Sequence, residues 1–131
     1  MKNLFKVGDK KTFAKIVGET DTANFDSGEV HPVYATFALG RDVEWCCRLF
    51  VLEMKEDDEE GIGTFLSIEH QSPALINSQV IFTARVESIS KNEIICSYEA
   101  KVGERLIAVG RQGQKILKKV KINQIFNSLS V

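Results

Sequence analysis

No apolar run in this chain approaches the ~20 residues that a membrane-spanning helix needs. Excess charge of either sign is also missing. Seventeen Lys and Arg face eighteen Asp and Glu, a formal net charge of -1. No global field therefore draws the chain to nucleic acid or to an anionic membrane. The first residues, Met1-Lys2-Asn3-Leu4-Phe5-Lys6, lack the apolar core and small-residue cleavage site of a signal peptide. A cytoplasmic location is the expectation. Cysteine is scarce, with three residues, two of them adjacent (Cys46, Cys47 and Cys96), and no C-x-x-C spacing. That count excludes a disulfide framework and a structural zinc site of the usual kind. The thiols read as small core residues in a reducing compartment. Histidine occurs only as His31 and His70, and no ligand-spaced His/Cys/Asp cluster is present, so no metal is expected.

What remains is an ordinary soluble composition over 131 residues, the size of one domain, without repeats or linkers. Residues 10–17 have the composition of a first strand, and residues 18–34, rich in Gly, Asp, Thr, Asn and Ser, read as loop. From Ala38 to about Met54 the apolar residues Leu39, Val43, Cys46 or Cys47 and Phe50 recur at three- and four-residue spacing. This is the only long helix, and Trp45, Leu49, Val51 and Leu52 widen its apolar face until it should be largely buried. The run from Lys55 to Gly61 ends it as a charged, solvated loop.

Beyond the loop the period becomes two. Residues 62–71, 78–90, 93–102 and 105–117 read as strands, with turns at Ser72-Pro73, Lys91-Asn92 and Gly103-Glu104. Asn92 and Gly103 tolerate the positive backbone angles of tight hairpins. The order is strand, long helix, four antiparallel strands. A sheet with one apolar face needs a cover, and one helix is long enough to supply it. The expected architecture is α+β: a curved antiparallel sheet of five to six strands wrapped around one central helix, the hotdog arrangement, as a single domain over residues 1–131.

Three polar residues stand in apolar surroundings: Thr36, Glu44 and His70. Each has a structural explanation. Thr36 just before the helix suits an N-cap. Glu44 suits a solvated helix face. His70 shares the strand parity of Leu66 and Ile68 and suits a hydrogen-bonded core histidine. Yet eight residues of helix place Glu44 only about 80° around from Thr36. Together, a hydroxyl, a carboxylate and an imidazole are the usual equipment for hydrolysing an activated acyl group.

These residues and their neighbours (Val33-Tyr34-Ala35-Thr36, Val43-Glu44-Trp45 and Gly63-Thr64 before His70) resemble the fluoroacetyl-CoA thioesterase family of hotdog proteins. The resemblance runs from about residue 10 to 122. It implies hydrolysis of a small acyl-CoA with Thr36, Glu44 and His70 as catalytic residues. Gly63, Thr64, Tyr34 and Phe37 are the candidate substrate contacts around them, Gly63 through close approach of its backbone. It also implies a homodimer with its sites at the subunit junction, and no cofactor other than the coenzyme A of the substrate. The chain departs from the family at Phe37, where relatives often carry proline, and at Asn77, where glycine is common. No aromatic lid is recognisable in residues 20–34, which points away from fluoroacetyl-CoA itself. Two rival readings are a non-catalytic hotdog module that binds an acyl-CoA or another apolar ligand, and an adaptor using the basic stretch 115–121. That stretch reads as an edge strand whose lysines discourage aggregation, and no aromatic residue is interleaved to favour nucleic acid.

Overall fold

The computed structural model describes residues 1–130. The elements in chain order are β1 (Lys10–Ile16), a single 3-10 turn (Glu19–Asp21), β2 (Thr22–Phe25), β3 (Gly28–Tyr34) and α1 (Thr36–Met54). They continue with β4 (Glu59–Leu66), β5 (Glu69–His70), β6 (Gln79–Ser90), β7 (Glu93–Val102), β8 (Arg105–Lys118) and α2 (Lys119–Ser128). Six strands form one antiparallel sheet in the order β1-β6-β7-β8-β4, with β5 paired to the early part of β8. The expected hotdog architecture is what the chain adopts.

The sheet closes on α1 because both surfaces are apolar on one side only. Val80, Phe82, Ala84 and Val86 alternate along β6, and Ile94, Cys96, Tyr98 and Ala100 along β7, all buried. Leu39, Val43, Cys46, Phe50 and Val51 meet them from the helix and are fully buried. Gly40 lets the sheet come close: a Cβ there would stand 3.1 Å from both Leu66 and Ile68.

A bulge on β4 sets which residues face the helix. Gly63 lies opposite Gln114, Phe65 opposite Gly113 and Leu66 opposite Gln112, so Thr64 is the extra residue. Opposed residues share a face, so Gly63 and Leu66 point inward, while Phe65 stacks beneath the Arg111 guanidinium.

Several expectations are corrected. Residues 18–34 are not a loop but the 3-10 turn and the β2–β3 hairpin. Its register is bulged and most of its residues are exposed, so the alternation that marks a half-buried strand is absent; Pro32 is accommodated because this two-stranded sheet has open edges. Glu59 and Glu60 belong to β4 rather than to a solvated loop, and Glu59 is buried with the Glu56 N–H donating to its Oε1 at 2.9 Å. The strand expected over 62–71 divides at Ser67-Ile68. Trp45 and Leu52 are exposed, so α1 is covered on one side only. The basic stretch is not an edge strand: β8 is paired on both sides, and Lys119 begins α2, which the sequence reading missed. In the β6–β7 turn the positive φ is at Lys91 (59°) and not Asn92, while Gly103 (59°) takes it as anticipated; Asn77, where relatives often carry glycine, takes it too (75°). Among the described residues, no helix is long and apolar enough to cross a membrane.

Candidate active site

Ala35, in extended conformation, occupies the N-cap of α1 and makes no side-chain cap. Thr36 is therefore the first helical residue and not the cap, and its hydroxyl is free of the backbone. Its Oγ1 lies 2.9 Å from Nδ1 of His70, thirty-four residues later. The short β5 carries that imidazole inward, opposite Ala108 on β8. Among the described residues, His70 Nε2 is buried without a hydrogen-bond partner. Burial lowers the His70 pKa from the ordinary 6.5, against an opposing pull from the Ser72 backbone. A neutral ring carries one proton. With it on Nε2, Thr36 donates to Nδ1, the arrangement that draws a proton from the hydroxyl.

Glu44 sits two turns further along α1, on the side of β4. Gln112 Nε2 donates to its Oε1 at 3.3 Å. Gly63 is the reason it fits, since any Cβ there would collide with Oε1. Thr36 and Glu44 share the wall of a cleft of about 620 Å³, with Phe25, Phe37, Leu66 and Ile68 supplying its apolar surface. Phe37 is 54% exposed and meets Phe25 edge-on, with ring centroids 5.7 Å apart. A second groove of about 320 Å³ holds His31, His70 and Ser72, and Thr36 borders this one too. Thr36 thus stands between an apolar cleft suited to an acyl group and a more polar groove that contains the histidine. Among the described residues, Glu44 makes no hydrogen bond to Thr36 or His70.

Not every candidate residue joins this cluster. Tyr34 is buried and its hydroxyl donates to Asp42, and burial together with that carboxylate pushes its pKa far above the ordinary value. It acts as a post under the helix start. Arg41 completes the support, bonding Asp42 at 3.1 Å and Asp21 at 2.8 Å. Thr64, carried outward by the bulge, donates to Glu93 at 3.0 Å. The cysteines are buried, and burial raises the Cys46 thiol to about 11, far from a nucleophile's range. Sequence reasoning passed over Gln112, Gln114 and the Asp21–Arg41–Asp42 group. Two glutamines at alternate positions of an otherwise inward-facing strand were the available signal for the first two.

A sheet wrapped on one helix, with a polar cluster at the helix start and an apolar cleft beside it, defines a hotdog protein of the thioesterase superfamily. A Thermus thermophilus hypothetical protein of that superfamily is 34% identical over 97% of this chain and 94% of its own, with TM-score 0.92. A hot-dog-like protein from Thermanaerovibrio acidaminovorans shares the fold at 18% identity, covering 97% and 95%, with TM-score 0.85. A mutant of the fluoroacetyl-CoA thioesterase FlK, in complex with acetyl-CoA, does so at 20% identity, covering 97% and 100%, with TM-score 0.87. No curated protein matches the chain. The model of the FlK family, fluoroacetyl-CoA-specific thioesterase, matches residues 17–120, and the chain belongs to this family. Membership places its chemistry in thioester hydrolysis.

Proposed function

We propose that this protein hydrolyses a small acyl-CoA in the cytoplasm, as a homodimer, with Thr36, Glu44 and His70 as the reacting groups. The 2.9 Å contact between Thr36 Oγ1 and His70 Nδ1 carries the reading. A hydroxyl at the mouth of an apolar cleft, bonded to a histidine kept neutral by burial, has few structural reasons to exist.

Two routes use these groups. In one, Thr36 attacks the thioester carbonyl as His70 takes its proton; the carbon–sulfur bond breaks, His70 returns the proton to the thiolate, and water hydrolyses the acyl-threonine. In the other, the Glu44 carboxylate takes a proton from water as that water attacks the carbonyl directly; the carbon–sulfur bond breaks, a proton reaches the departing thiolate through His70, and Thr36 only orients the acyl group. Thr36→Ala abolishes turnover by the first route and leaves a measurable rate by the second. Coenzyme A enters as part of the substrate, and neither route calls on a further cofactor.

The first test is thiol release from a panel of short and medium acyl-CoAs, wild type against His70→Ala. A fall of at least ~100-fold is expected from loss of a general acid/base. No turnover on any member, with both proteins folded, would leave a ligand-binding module as the function.

A further inference from the structure

Gln112 and Gln114 occupy alternate inward positions on β8 and are 1% and 2% exposed. A primary amide offers two donors and an acceptor with two lone pairs, and burying it is costly unless they are met. Leucines of similar volume would fill the same space at less cost. The hydrogen bonds of the pair explain its presence, because they run one way. Gln114 Nε2 donates to Gln112 Oε1 at 3.1 Å and to the main-chain oxygen of Glu44 at 3.5 Å. Gln112 Nε2 then donates to Glu44 Oε1 at 3.3 Å. With its oxygen taken by Gln114, the Gln112 amide cannot flip without losing both contacts, so its N–H is held toward the carboxylate.

Two glycines on the neighbouring strand make the room. A Cβ at Gly61 would crowd Gln114 Oε1 at 3.3 Å, and one at Gly63 would collide with the Glu44 carboxylate that Gln112 holds. The main chain of Glu44, its carboxylate and both amides are therefore tied into one unit with the middle of β8. Among the described residues, Gln112 is the only donor to the Glu44 side chain, and Oε2 receives none.

We propose that Gln114 and Gln112 form an amide relay that positions Glu44, fixing Oε1 and leaving Oε2 for the substrate or the attacking water. The proposal rests on the role given to Glu44 above. Both glutamines are positioning residues: Gln114 acts through Gln112, and Gln112 holds Oε1 of Glu44 without reaching Oε2, the oxygen left to react.

The test compares Gln112→Leu, Gln114→Leu and the double variant, with Gln112→Met in reserve should Gln112→Leu fail to fold. The Q112L variant is expected to lose at least ~10-fold in kcat, the order expected from misplacing a reacting group. Its KM should stay within about threefold, because ground-state binding is untouched. Q114L should lose less, and the double variant should be no worse than Q112L, since Gln114 acts through Gln112. A second readout needs no turnover. The carboxylate stretch of Glu44, isolated by carbon-13 glutamate labelling and subtraction of the Glu44→Gln spectrum, should move in substrate-free Q112L. An unmoved band, or losses that simply add while only the melting temperature changes, would make the pair core packing and overturn the relay. Should the wild type cleave no acyl-CoA, the proposed function fails, and the band still decides the relay.

Discussion

His70 offers a neutral imidazole at neutral pH because burial disfavours the charged ring. Two consequences follow, with the same sign. As base, the ring is lost on protonation, so kcat/KM should fall on the acid side with an apparent pKa below 6.5. For stability, the folded value lies below the unfolded one, so as pH falls the unfolded chain takes up this proton first. The contribution is present above 6.5 and is lost as pH drops toward the folded value. Urea unfolding at about pH 7.5 and about pH 5 should show wild type losing more stability than His70→Ala. An acid limb above 6.5, or an equal slope in the variant, would remove His70 from this role. At this scale, residue type was legible in the sequence and convergence was not. Thr36 reads as an N-cap until Ala35 is seen in that place, and nothing local reveals a contact across thirty-four residues. Gln112 and Gln114 were missed because a polar side chain in a strand is first taken as outward-facing.

The helix and the long strands were legible because their periodicity comes from one large shared core. Phe50 illustrates it: fully buried, it meets Phe5 edge-on at 4.9 Å. Phe50→Ala should cost about 3–5 kcal/mol, measured by chemical denaturation, and a value under ~1 kcal/mol would contradict this burial. The illegible elements bury little. The β2–β3 hairpin is mostly exposed along β3, and α2 buries only Ile122, so neither leaves a clear two- or 3.6-residue pattern. The misreading of Lys115 to Lys121 as one edge strand has the same origin. Lysines mark solvent, and a strand interior to the sheet by pairing still has an exposed outer face for Lys115, while Lys118 is exposed where the strand ends.

For the whole molecule, the question is what covers the open edge of the sheet. The strand β4 is paired on one side only and exposes Phe65 and Leu66, while Trp45 and Leu52 of α1 are also open to solvent. An unpaired edge with apolar side chains favours association with another chain. In the proposed homodimer this edge is buried against a second copy. Sedimentation equilibrium at micromolar concentration should give the mass of two chains, and a monomer with full turnover would refute the dimer.

One residue on β4 is surplus to the count that aligns the site. Thr64 contributes a hydroxyl to Glu93 at the surface, a bond the fold can spare. Gly63 and Leu66, three apart, both face inward only because the bulge takes Thr64 out of step, and Ile68 and His70 follow Leu66. With Thr64 deleted, Gly63 and Phe65 become consecutive and still oppose Gln114 and Gly113, so the imidazole keeps its side. The strand therefore carries one residue of slack, and a lineage can change or lose the letter at this position while the alignment of the cluster is preserved.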